Sequence, residues 1–265
     1  MSRDPTDGLF TPRDEDADEY RPATIRPEKP LLPKRFYREV TAPLVDGVYP
    51  LLLDGRPART PGRNPLVAPD PVIAEALAGE WQAQADEINP ATMPMTRLLN
   101  SVIDGVSQTR DAVVDETVRF AGSDLLCYRA AHPDRLVQRQ AELWDPLLEW
   151  ARERLGARFI LAEGVMFVEQ PPASVEAVRR TVEAQASPHA IGGLHVLTSL
   201  AGSILIALAL AHRHIGVEEA WRAAHVDEDV QAEIWGTDAE AQARRDARFT
   251  EFAAAAALVR QQWRA

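Results

Sequence analysis

The chain has 265 residues, 46% of them hydrophobic, which is enough for one large core or two modest ones. Its formal net charge of −11 and sequence pI near 5.1 disfavour a phosphate backbone as the main partner, although a local basic patch is compatible with that total. The only cysteine, Cys127, leaves no intrachain disulfide and fits a reducing compartment; a small buried apolar residue is the plain reading of it.

Residues 1 to 33 are charged, proline-bearing and short of apolar groups, so they read as a flexible N-terminal arm that joins the fold near Leu31-Leu32. No secretory signal is visible, and Asp14-Glu15-Asp16 and Asp18-Glu19 argue against a mitochondrial presequence. A bacterial cytoplasm is the expected location.

Residues 34 to 100 are expected to form a β-rich N-terminal domain with one helix. Apolar residues flank turn signals at Asp46-Gly47 and Asp54-Gly55, which predicts a small twisted antiparallel sheet. Pro50 and Pro57 place their segments at edges or bulges. Asp70-Pro71 predicts an N-cap followed by proline at the first helical position, with Val72, Ile73, Ala76, Leu77 and Trp81 on one face. Glu80 falls on that same face. It is expected either to meet an arginine, with Arg56, Arg59 and Arg63 as candidates, or to remain partly exposed at the helix end.

Residues 101 to 265 are expected to form a mainly α-helical C-terminal domain, so the fold class is α+β. Ser107 or Thr109 caps a helix reaching Phe120. A broad stripe from Leu136 to Leu155 predicts another helix, in which Pro146 forces a kink or starts a second one. Phe159 to Leu161 and Val165 to Val168 look extended, and a further helix begins near Ser174. Ala190 to Ala211 approaches the ~20 residues of a membrane span, but its glycines, serines and His195 predict a helix buried in a bundle, with small residues admitting close neighbours. Thr237-Asp238-Ala239-Glu240 matches a capping box with Thr237 at the N-cap, opening a last helix whose apolar stripe includes Phe252, Val259 and Trp263.

Chemistry is hard to find in this sequence. His212, His214 and His225 lie near Glu218, Glu219, Asp227, Glu228 and Asp229, but without a metal-ligand spacing, and solvated residues at helix ends are the better reading. Neither a nucleophile elbow nor a phosphate-binding glycine loop is present. His189 and His195 read as hydrogen-bonded core residues. The six tryptophans read mostly as core anchors, with room for one or two exposed binding residues. No catalytic, cofactor-binding or metal-binding residue is assigned.

An ordered set of short pieces nevertheless points to a family. Lys34-Arg35-Phe36-Tyr37, Leu53-Asp54-Gly55-Arg56 with Thr60-Pro61, Glu80-Trp81, and Met93-Pro94-Met95-Thr96-Arg97-Leu98 followed by Asp104 occur in sequence. Trp235-Gly236 and Glu240-Ala241 with Arg244-Arg245 come later. Together they resemble the chaperones that assemble the F1 sector of ATP synthase by acting on its alpha subunit, over about residues 34 to 263. The arm lies outside the resemblance and lacks the presequence of mitochondrial members, which suggests a bacterial relative.

The resemblance implies a β-containing N-terminal domain, a helical C-terminal domain and a non-enzymatic role. Such a protein covers the aggregation-prone face of free alpha subunit until the beta subunit replaces it, without hydrolysing ATP. The implied partner is the F1-ATPase alpha subunit, bound by a monomer with no cofactor, no nucleic acid and no membrane insertion. The resemblance also carries a recognition role to Glu240, with Arg244, Arg245 and Arg248 as further client-binding candidates; plain helix capping is the alternative role for Glu240. Two other functions stay open: an enzyme using carboxylates or histidines gathered between the domains, and a scaffold that recruits partners through its proline-bearing arm.

Overall fold

The turn chemistry of the first region is realised as short strands. The computed structural model describes residues 32–164 and 166–264, so nearly all of the expected arm lies outside the described residues. Strands β1 (Val40–Thr41), β3 (Leu52–Leu53) and β4 (Arg56–Pro57) form an antiparallel sheet in the order β1-β3-β4, and β2 (Tyr49–Pro50) pairs antiparallel with β5 (Val67–Ala68). The β3–β4 hairpin turns through Asp54 and Gly55 at φ 48° and 73°, the left-handed pair that a two-residue loop needs. Asp46 and Gly47 repeat the device at φ 52° and 84°. Pro57 sits on the free edge of β4, as its missing N–H requires.

The sheets close over α1 (Pro71–Gln82). Its first N–H groups, those of Val72 and Ile73, each donate to Asp70 at 3.0 Å. Ile73 and Leu77 are buried against Leu51, Leu53 and Leu66, whereas Val72 turns outward. Glu80 meets no arginine. Its carboxylate accepts from the backbone N–H of Met95 (2.6 Å) and Thr96 (2.8 Å) and from the Thr96 hydroxyl (2.7 Å). It therefore caps α2 (Pro94–Ser101), whose Met93 cap position supplies no side-chain acceptor. Burial raises its pKa while these donors pull the other way.

A π-helical turn, Val102–Val106, continues α2. Its Asp104 accepts from the Thr60 hydroxyl (2.6 Å), the Gly62 N–H (2.7 Å) and the Asn64 side-chain amide (2.8 Å), tying the loop before β5 to the start of the helical region. Those donors hold its pKa below the usual carboxylate value. Then come α3 (Arg110–Arg119), β6 (Tyr128–Arg129), α4 (Asp134–Trp150), β7 (Ala162–Glu163) and α5 (Pro172–Glu183). Pro146 starts no second helix; α4 runs through it, and its exposed position lets water reach the carbonyl that the proline leaves unpaired. Neither residues 159–161 nor residues 166–168, expected to be extended, form a strand; the strand Ala162–Glu163 lies between them and pairs in parallel with β6.

The apolar run from Ala190 to Ala211 is two helices, not one. α6 (Pro188–Ala201) stops at Gly202, whose φ of 67° reverses the backbone, and α7 (Ile204–Ala211) starts from Ser203, whose hydroxyl accepts from the Ile206 N–H at 3.1 Å. Hydropathy masked this break, because the residues on both sides are buried. The expected close approach is present. A Cβ on Gly193 would lie 2.7 Å from Val259 Cγ2, and one on Gly192 would lie 2.6 Å from Val102 Cγ2. Val259 belongs to α10 (Ala239–Gln262), which packs along α6; α8 (Val217–Ala224) and α9 (Val226–Trp235) precede it. One hydrophobic cluster runs through the described residues from Tyr37 to Trp263.

Candidate functional site

Client-binding candidates from the sequence gather where α9 turns into α10. α9 ends at Gly236, whose φ of 86° with ψ of 172° is a conformation that side chains beyond glycine rarely adopt. α10 is capped by Asp238, not Thr237: the Asp238 carboxylate accepts from the Ala241 N–H at 2.9 Å. Both residues are good caps, and the chain starts its helix one residue later than the capping-box pattern suggests. Glu240 thus stands in the first turn without being the cap.

The four candidates divide by what they touch. Glu240 and Arg244 pair at 2.5 Å one turn apart, with side chains 80% and 63% exposed. A pair so open to water stabilises the helix by roughly 0.3–0.5 kcal/mol, which leaves both groups available to a partner. Arg245 instead reaches Asp229 of α9 at 2.5 Å, both side chains mostly covered, and so fixes the angle between the two helices. Arg248 donates to the Leu200 carbonyl at 3.2 Å and ties α10 to the end of α6.

Trp235 stands at the end of α9, on the same turn into α10. Its neighbours in kind are enclosed: Trp144, Trp150, Trp221 and Trp263 are buried, and Trp81 is half-buried with its indole N–H on Thr96. Trp235 is 85% exposed, and Ile234 beside it is half exposed. A shallow cavity of about 360 Å³ opens between Ala232, Trp235, Gly236, Ala241 and Arg245. A tryptophan followed by glycine at a helix end was the sequence signal, but exposure depends on what packs above it, which no local pattern encodes.

Perturbed groups elsewhere are occupied by the fold. Asp124 is fully buried, accepts from the Leu126 N–H (3.0 Å), the Leu205 N–H (3.1 Å) and the Ser203 hydroxyl (2.7 Å), and anchors the start of α7. Burial pushes its pKa up to about 6 despite those donors. Burial, with the nearby Asp124 charge adding to it, pushes the Cys127 thiol up to about 12, which keeps it an unreactive core group. The His225 ring nitrogen Nδ1 pairs with the Trp221 carbonyl at 2.9 Å, while His212 and His214 pack against Trp150. The loose histidine cluster of the sequence is thus spread over two tryptophans. Among the described residues, no group of three or more His, Cys, Asp or Glu is placed to hold a metal ion.

The model of the ATP12 chaperone protein family matches residues 34–152. The fold is similar to that of a protein from Agrobacterium tumefaciens whose crystal structure is known, at 47% identity and a TM-score of 0.82, covering 88% of this chain and 87% of that one. It is also similar to ATP12 from Paracoccus denitrificans, at 38% identity and a TM-score of 0.78, covering 88% of this chain and 99% of that one. A mutant of the same Paracoccus protein superposes at a TM-score of 0.77, with 38% identity over 88% of this chain and 98% of that one.

Proposed function

The chain belongs to the ATP12 chaperone family, and on that premise we propose that it binds the free alpha subunit of the F1 sector of ATP synthase through the α9–α10 surface, covering it until the beta subunit takes its place. The observation that carries this reading is Trp235, a large, rigid side chain held almost fully in water next to Ile234, at the turn into the helix that bears the available Glu240–Arg244 pair. Tryptophan is among the residues most enriched at the energetic centres of interfaces, where its ring supplies a large apolar contact area. Arg245 and Asp229 hold the platform rigid, so little ordering is lost on binding. Glu240 and Arg244 orient the client at the rim. Such an action makes and breaks no covalent bond, so the proposal includes no catalysis and no cofactor.

The same proposal places the protein in the bacterial cytoplasm as a monomer, with residues 34 to 100 and 101 to 265 as its two domains. Among the described residues, no helix is long and apolar enough to cross a membrane. The test is light scattering of aggregating free alpha subunit with the purified full chain present, read together with co-elution. Suppressed scattering and a one-to-one complex are expected. Unchanged scattering with no co-elution rejects the reading.

A further inference from the structure

Three motif pieces that the α9–α10 surface does not use meet on the opposite side of the sequence, around β3 and β4. Phe36 and Trp81 line a cavity of about 510 Å³ together with Pro57, Ala58, Arg56 and Arg59. One Arg59 nitrogen donates to the Arg63 carbonyl at 2.8 Å, which orients the guanidinium while its other N–H groups stay free for a ligand. Phe36 is 72% exposed, whereas Trp81 is mostly covered, its N–H satisfied by Thr96, and forms part of the cavity wall.

The charge of this area runs against that of the chain. At the cavity itself two arginines, Arg56 and Arg59, face one carboxylate, Asp54, a net of 2 − 1 = +1 within a protein of net −11. Ion pairing does not cancel it. Every ion pair among the described residues involves side chains from Arg97 onward. Asp54, the one carboxylate at the cavity, is engaged by the backbone N–H groups of Arg38 (3.0 Å) and Glu39 (2.8 Å), which lower its pKa.

We propose that this cleft is a second docking site, independent of the α9–α10 surface, for an acidic peptide segment of a partner protein that carries an apolar side chain. The apolar side chain enters between Phe36, Pro57 and Trp81, and flanking carboxylates meet Arg56 and Arg59. Fork-shaped guanidinium groups suit carboxylates, and desolvation by the aromatic walls strengthens those bonds. Strand addition is not the mode, because Pro57 brings no N–H to the free edge of β4. Nucleic acid carries a negative charge on every residue, so the negative field of the remaining chain opposes it more strongly than a segment with a few carboxylates.

The experiment uses the full chain and a fluorescently labelled peptide of alternating aspartate and leucine, followed by anisotropy. Saturable binding is expected, weakening as salt rises. Arg56→Gln with Arg59→Gln should raise the Kd about tenfold, two exposed charge contacts being lost. Replacing the peptide's aspartates by asparagines should do the same, and Phe36→Ser should weaken binding with the salt dependence intact. The arginine changes lie on the surface, so an unaltered melting temperature is expected and keeps them decisive if Phe36→Ser destabilises the fold. Absence of saturable binding, equal affinity for the neutral peptide, unchanged affinity in the double arginine variant, or displacement by a single-stranded oligonucleotide in preference to unlabelled peptide would each overturn the proposal.

Discussion

Two places in this molecule break a helix with glycine and restart it from a short polar cap, and they end up in opposite surroundings. At Gly202-Ser203 the break is enclosed: all of α7 is buried, and Asp124 supplies the acceptors that its first turn needs. At Gly236-Asp238 the break is open: the cap satisfies itself, and Trp235 projects into water. The same local chemistry therefore serves stability in one case and leaves a surface free in the other. What differs is the neighbourhood, a buried carboxylate against an uncovered indole.

The largest effect should come from removing the carboxylate at the enclosed break. Asp124→Ala strands two N–H groups and a hydroxyl in the core and should cost about 3 kcal/mol in urea unfolding at neutral pH. Asp124→Asn sharpens the comparison through pH. Because burial raises the folded-state pKa from 3.8 to about 6, the folded protein holds the proton more tightly than the unfolded chain. The favourable contribution of Asp124 is then full below the unfolded value and declines as pH rises through 6. The stability difference between the natural protein and Asp124→Asn should shrink over that window, and a difference that grew would contradict the assigned surroundings.

Next in size is Gly193→Val, which drives a side chain into Val259 and should lower stability by about 1–3 kcal/mol in thermal unfolding. At the open break the expected stability effects are small and the functional ones large. Trp235→Ser should leave unfolding within about 0.5 kcal/mol while abolishing suppression of alpha-subunit aggregation. Glu240→Gln should change stability least of all, since its partner Arg244 is exposed and Asp238 does the capping. Loss of rescue with an intact melting temperature marks Glu240 as a recognition residue; retained rescue leaves it a surface charge.

The sequence was most legible where neighbours in the chain decide the outcome. Asp54-Gly55 dictates a hairpin and Asp70-Pro71 a helix start, because the relevant hydrogen bonds close within a few residues. Glu80 is partly exposed near the end of α1, one of its two expected states. The arginine alternative fails because its partners are the Met95 and Thr96 N–H groups fifteen and sixteen residues away and the Thr96 hydroxyl, and backbone donors leave no mark in a side-chain inventory. The helix break at Gly202 was hidden by uniform hydropathy, although glycine followed by serine is itself a stop-and-restart signal. At the candidate site, Glu240 and Arg244 came from the family resemblance and Trp235 stood out only once its surroundings were known. A side chain's exposure is a property of the whole packing arrangement.

The Asp104 carboxylate has a mechanical meaning. It gathers Thr60, Gly62 and Asn64 onto a π-helical turn whose Val102 lies against Gly192 of α6. A load placed on the arginine-rimmed loop region is therefore passed, through three short bonds and one methyl contact, to the central helix of the bundle. The seam between sheet and helices behaves as a riveted joint, and the two halves of this fold feel each other's strain without sharing a strand.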